Sequence, residues 1–215
     1  MDDYLALFAQ RDVIETPLVD DLDVNGWDLV KALKLLLKGN AVVIEWITSP
    51  IIYTADRWFR DEFRALAARI ADRELVARHY LHLGEHQRRT YFADNKQVQL
   101  KKIFYALRPA AALRWLRHHP DEAVAPMHFP TLLAECVAPD GVRALVDGLI
   151  AKKAITRELG AGELPAAIAG FIDSEFAAAR ELFDAEPRSA GPAARADAQE
   201  FFRRALARYD EIGGE

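Results

Sequence analysis

The sequence predicts a mainly helical α+β protein. A small sheet with two helices occupies residues 1–54 and packs on a larger helical domain of about 55–184, followed by a linker and a tail helix in 185–215. Three observations predict this. Extended stretches are confined to the first quarter of the chain, apolar residues recur at helical spacing from Asp56 onward, and proline- and glycine-bearing breaks cut the helical part into segments.

The extended part comes first. Val13 and Ile14 are stopped by Pro17, as at an edge strand, and a second stretch follows over Asp21-Leu-Asp-Val-Asn25. Together they read as a hairpin of a sheet too small to stand alone, because two strands bury little surface. Asn25-Gly26 is a turn signal, and Asp28 then caps a helix carrying Leu29, Leu33, Leu36 and Leu37, which Gly39-Asn40 closes. A short helix over Ala41–Ile47 ends at Ser49-Pro50, and Ile51-Ile52-Tyr53 resumes an extended conformation.

The helical part begins with Phe59, Phe63, Leu66 and Ile70 on one stripe. Asp72 caps the next helix, with Leu75, Val76, His79, Tyr80 and Leu83, running to about Tyr91. Residues 97–118 read as another, kinked at Pro109 because proline removes a backbone donor. Further helices are expected at about 130–137, 140–156 and 165–184. Glu186-Pro-Arg-Ser-Ala-Gly-Pro192 reads as a linker before a final short helix to about Tyr209.

Composition sets the class. With 215 residues, 51% of them hydrophobic, the chain suits an ordinary globular protein and is not disordered throughout. The single cysteine, Cys136, lies among Leu132, Leu133 and Val137 and reads as buried packing. Met1-Asp-Asp-Tyr has acid where a secretory signal needs base, and the apolar run Leu164–Ile172 is too short to span a bilayer, so a cytoplasmic protein without membrane partners is expected. The net charge of −5 is unevenly spread: residues 73–119 hold 10 basic against 3 acidic side chains, whereas the segments on either side are acidic. That basic middle suits an anionic partner such as nucleotide phosphate or an RNA backbone.

Two blocks of sequence carry a family resemblance. One is Asp23-Val-Asn-Gly-Trp-Asp-Leu-Val-Lys-Ala-Leu-Lys-Leu-Leu-Leu-Lys-Gly-Asn40 with Ile44-Glu-Trp46 and Ser49-Pro-Ile-Ile-Tyr53 behind it. The other is Leu100-Lys-Lys-Ile-Phe-Tyr-Ala-Leu-Arg-Pro109, flanked by Arg78-His-Tyr80, Arg114-Trp115 and Ala125-Pro126. In this order the blocks resemble a bacterial predicted nucleotidyltransferase family of the polymerase-beta superfamily, over roughly residues 4–175.

The resemblance implies transfer of a nucleoside monophosphate from a nucleoside triphosphate to an acceptor of unknown kind, RNA or protein among the options. Magnesium would be the metal, because carboxylate-held divalent ions neutralise charge on reacting phosphates. In the family a Gly-Ser turn and an Asp-x-Asp pair precede the segment where this chain begins. The chain has no Gly-Ser pair, and Asp21-Leu-Asp23 matches the later strand. The expectation is therefore a truncated chain lacking two of three metal carboxylates, with Met1 an internal methionine of a longer protein and a naturally shortened copy as the rival. Its own activity is left open, and the alternative function is a non-catalytic nucleotide- or RNA-binding module.

On this resemblance Asp23 becomes the catalytic, metal-binding carboxylate. Asp28 is the alternative, although its cap position explains it without metal. Lys31, one turn into its helix, is a candidate phosphate contact. Lys101, Lys102, Tyr105 and Arg108 are the strongest nucleotide-binding candidates: Lys101, Tyr105 and Arg108 follow at steps of four and three, so one helix face would carry an ammonium, a phenol and a guanidinium. His79 and Tyr80 border the same cleft, and Glu45 is a partner for a nearby base. Trp27, Trp46, Trp58 and Trp115 read as core anchors. His118-His119 lacks ligands at zinc spacing.

Overall fold

A computed structural model describes residues 12–17, 24–92, 96, 98–155, 160–183 and 189–213. Among these residues the fold is mainly α with a small sheet component, in which nine helices enclose one continuous apolar core. Two short strands, β1 (Val13–Glu15) and β2 (Asn25–Trp27), pair antiparallel with Val13 opposite Trp27. Asp21–Asp23 of the expected second stretch lie outside the described residues; Asn25-Gly26 lies in the ladder rather than in a turn. Gly26 stands opposite Ile14 in that ladder.

The first helices follow the sequence closely. Asp28 caps α1 (Leu29–Leu37), its Oδ1 accepting the Lys31 N–H at 2.6 Å. Gly39 then turns the chain with φ +68°, where a Cβ would stand 2.4 Å from Leu75 Cβ. Asn40, expected only to end α1, also starts α2 (Ala41–Thr48) by accepting from Val42 and Val43 N–H. Ile51, Ile52 and Tyr53 are exposed and join no ladder, so the extended reading of that segment is not realised as a strand.

α3 (Arg57–Ile70) buries Phe63, Leu66, Ala67 and Ile70, and α4 (Arg73–Tyr91) starts at Asp72 as its sequence predicts. The expected helix over 97–118 begins instead as a strand, β3 (Val98–Gln99), and a 3-10 turn (Leu100–Lys102), before α5 (Ile103–His118). β3 pairs with β4 (Ala161–Gly162), a second small sheet that period-two patterning could not reveal in two-residue segments. α5 runs through Pro109, whose nitrogen cannot donate to the Tyr105 carbonyl one turn earlier.

α5 is the centre of the molecule. Its Ala106, Ala110, Ala111 and Ala112 are buried with Ile103, Leu107, Leu113 and Leu116, so it is enclosed from several sides. α4 packs along it, with α6 (Phe129–Glu135) and α8 (Ala166–Phe183) on other sides; α7 (Asp140–Ile155) lies against α8. Gly84 of α4 marks the closest crossing, since a Cβ there would fall 2.4 Å from Phe176 Cζ and 2.9 Å from Pro109 Cβ.

The last helix differs most from expectation. α9 (Pro192–Gly213) has 22 residues, is not short, and packs on α1 and α3. Phe201 stacks on Trp58 at 6.2 Å and meets Phe63 edge-on at 5.5 Å, while Arg69 pairs with Asp197 at 3.0 Å. Among the described residues, no helix is long and apolar enough to cross a membrane.

Candidate functional site

The cleft is bounded by α2, α4 and α5. It is lined by Glu45, Tyr80, Leu83, Gln87, Tyr105 and Arg108, with Phe104 and Pro109, and has a volume of about 290 Å³. Tyr80, Leu83 and Gln87 reach it together because steps of three and four lie on one helix face. Phe104, Tyr105, Arg108 and Pro109 do the same from α5.

Its floor is a satisfied ionic network. Arg108 Nε donates to Glu45 Oε1 at 2.7 Å, and the Tyr80 hydroxyl donates to that oxygen at 2.9 Å. The Arg108 guanidinium also donates to the carbonyls of Met127 (2.8 Å) and Pro126 (3.3 Å), pinning the loop before α6. Burial, and next the Glu45 carboxylate, raise the Tyr80 pKa well above 10, so the phenol stays a donor. Arg108 is thus already neutralised and largely committed; it shapes the floor rather than standing as a bare cation.

A cation–aromatic cluster adjoins the cleft through Tyr105. Lys102 Nζ lies 4.5 Å from the centre of the Tyr91 ring and 4.8 Å from that of Tyr105. Those rings meet edge to face at 6.4 Å, and both are about half exposed. Tyr105 therefore belongs both to the cleft wall and to this cation–aromatic cluster, an arrangement suited to base stacking beside a phosphate contact.

The other candidates are placed elsewhere. Lys101 sits in the 3-10 turn, not within a continuous helix, so the four-and-three spacing expected with Tyr105 and Arg108 is broken at its start. His79 Nδ1 accepts the Ala41 N–H at 3.3 Å, and burial, with His82 behind it, lowers its pKa below 6.5. Lys31 pairs with Asp12 at 3.0 Å. Asp23 lies outside the described residues.

Magnesium would need converging carboxylates. Among the described residues, no group of three or more His, Cys, Asp or Glu side chains could hold a metal ion, and Asp28 gives its Oδ1 to the Lys31 N–H.

Sequence reasoning missed Gln87, Leu83, Phe104 and Pro109. Their positions on the faces of Tyr80 and Tyr105 could have identified them, but only once the two helices were known to face each other. It also missed Glu175, 4% exposed on α8, which pairs with Arg114 at 2.9 Å and with Arg117. That cluster ties α5 to α8. Cys136 is buried as expected, its pKa pushed up to about 11 by burial. Trp115 is buried and Trp27 partly so, but Trp46 is half exposed, stacked on Trp27 at 4.2 Å, and so is not a core anchor.

Comparison with known proteins adds two findings. Residues 1–204 match the RNA repair pathway DNA polymerase beta family. The chain is also 33% identical over 183 residues to uncharacterized protein YcgL of Bacillus subtilis (strain 168), covering 83% of this chain and 69% of that protein. No solved structure matches the chain.

Proposed function

This chain belongs to the RNA repair pathway DNA polymerase beta family, and on that premise we propose that it serves nucleotidyl transfer by seating a nucleoside triphosphate in the α2/α4/α5 cleft. Family membership is consistent with nucleotidyltransferase-type function. In such a transfer an acceptor hydroxyl oxygen bonds to the α-phosphorus, the α–β bridge breaks, the hydroxyl proton is lost and pyrophosphate departs. Tyr105 stacks on the base, Lys102 offers its charge to phosphate, and the Glu45–Arg108 pair holds the wall in place. Asp23 keeps its role as candidate metal carboxylate, and no step is assigned through a metal.

The observation that carries this reading is that Tyr105 lines the cleft floored by the Glu45–Arg108–Tyr80 network and also lies under the Lys102 ammonium. Calorimetric titration with ATP, GTP, CTP and UTP, with and without magnesium, tests it. Binding of at least one nucleotide is expected, weakened about tenfold by Tyr105→Ala, as loss of one stacking partner implies. Absence of binding to all four, or an unchanged affinity in both Tyr105→Ala and Lys102→Ala, overturns it.

The second reading is a non-catalytic nucleotide- or RNA-binding module, favoured by the pairing of Arg108 with Glu45, which makes that arginine part of the wall. Transfer of labelled nucleotide to an RNA end separates the two. Binding that ignores magnesium, with no pyrophosphate released, supports the module.

A further inference from the structure

Two lysines from different elements stand over the aromatic wall of the cleft. Phe104 and Tyr105, consecutive on α5, both line it. Lys102 Nζ lies 4.8 Å from the centre of the Tyr105 ring, and Lys153 Nζ, from the last turn of α7, lies 5.6 Å from that of Phe104. The small β3–β4 sheet accounts for this meeting. β3 leads into α5 and β4 follows α7, with Val98 opposite Gly162, and the Leu100 N–H donates to the Gly160 carbonyl at 3.0 Å. The pairing ties the chain beyond α7 to the chain entering α5, which brings both lysines beside the first turn of α5.

Charge and size point the same way. Arg108 in the cleft floor is neutralised by Glu45, whereas neither Lys102 nor Lys153 pairs with a carboxylate among the described residues. An ammonium resting on ring faces keeps its full charge for an anion, so positive charge for a ligand comes from beside the cleft, where these two lysines stand. The cleft, at about 290 Å³, is at the small end of ligand sites, which run from ~300 to ~1,000 Å³. A nucleoside fills such a space, and a phosphate chain attached to it extends past the lining onto the surface that carries the lysines.

We infer that Lys153 is a second phosphate-binding residue of this site, which with Lys102 flanks the phosphate chain of a bound nucleotide and makes affinity rise from mono- to triphosphate. The inference rests on the nucleotide reading above and adds to it a residue from α7 and a preference among phosphate chain lengths. Two ammonium groups on separate elements favour a chain long enough to touch both. A monophosphate reaches only one.

Competition binding with the full chain at fixed ionic strength tests this, using the mono-, di- and triphosphates of adenosine, guanosine, cytidine and uridine. In any series that binds, the triphosphate should exceed the monophosphate by about tenfold, and Lys153→Gln should weaken the triphosphate about fivefold, as loss of one ammonium beside a phosphate in water implies, and the monophosphate by about twofold at most. Lys153→Arg keeps the charge and should stay within about twofold of the unaltered chain. Lys152→Gln removes the same charge from the neighbouring residue and should also stay within about twofold, which separates position from overall charge. Lys153 is exposed, so these substitutions leave the core untouched, and matching melting curves check it. Equal affinity for mono- and triphosphate, an unchanged triphosphate affinity in Lys153→Gln, or an equal loss in Lys152→Gln or Lys153→Arg overturns the role given to Lys153 but leaves nucleotide binding standing. Failure of every nucleotide to bind removes both.

Discussion

Arg108 Nε and Glu45 Oε1 meet at 2.7 Å with both side chains less than one-fifth exposed, tying α5 to α2 across the cleft floor. Removing one partner of a mostly buried pair leaves the other charge stranded, whereas removing both is far milder. Glu45→Ala should cost about 2–4 kcal/mol, and Glu45→Ala with Arg108→Met should recover part of that loss. Urea denaturation of the single and double variants measures it; strictly additive losses contradict the coupling.

Tyr80 makes stability alkali-sensitive. Its folded pKa is raised well above 10 by burial, so the unfolded chain gives up the phenolic proton first as pH climbs. The contribution is complete below about pH 10 and is lost above it as pH rises toward the folded pKa, with a slope of about 1.4 kcal/mol per pH unit. Melting curves between pH 9 and 11 should show a steeper fall for the unaltered chain than for Tyr80→Phe.

His79 acts in the opposite pH range. Its ring is held below the ordinary pKa of 6.5, chiefly by burial, and its Nδ1 must be unprotonated to accept the Ala41 N–H. Because the unfolded chain binds the proton more readily, stability is complete above about 6.5 and falls as pH drops toward the folded value. His79→Asn keeps an acceptor without titrating, so its melting temperature should vary less between pH 7 and 5 than that of the unaltered chain. An identical pH dependence in the two proteins counts against the assignment.

Gly84 is fixed by close packing rather than by backbone conformation. Alanine there gains about 1 kcal/mol of helix propensity but drives its methyl into the ring of Phe176 and the side chain of Pro109. Overpacking of this kind costs about 1–3 kcal/mol, so Gly84→Ala should be destabilised on balance. Adding Phe176→Leu should relieve the clash; a Gly84→Ala protein more stable than its parent in thermal unfolding refutes the close crossing.

Glu175 holds two arginines of α5 from a buried position on α8. Glu175→Ala removes the carboxylate that both guanidinium groups share and should cost about 3 kcal/mol, the lower end for a broken buried pair, because Arg114 keeps the Cys136 and Val137 carbonyls. Hydrogen exchange should then show α8 opening first, and equal loss of protection in α1 and α3 would argue against a local role.

The helices were legible where a cap and a stripe coincide. Asp28, Asp56 and Asp72 each stand before an apolar repeat, and each accepts a backbone N–H at its helix start. The strands were less legible, because β2 carries Asn25-Gly26, a pair that locally favours turns, and is made a strand by its pairing with β1. β3 and β4 are two residues each, below the length at which alternation can register. α9 looked like a tail because its sequence is alanine-rich and charged, yet Phe201 and Ala205 are buried against the rest of the core.

For the site, the sequence marked Tyr105, Arg108, Lys102 and Tyr80 as belonging together but could not say which would be spent. That depends on distances between helices far apart in the chain. Glu45 is 63 residues from Arg108, and only their packing turns the arginine from a prospective phosphate grip into a neutralised wall.

Local patterns alone determined the helical class, most helix starts, the burial of Cys136 and the family to which the chain belongs, since capping, periodicity and motif order are properties of neighbours along the backbone. Tertiary structure alone decided that α4 and α5 face each other across a cleft, that Glu45 quenches Arg108, and that Lys153 of α7 comes to lie over Phe104. The reason is physical: pairing and desolvation are set by which groups meet in space, and no spacing along one strand of sequence encodes who sits opposite.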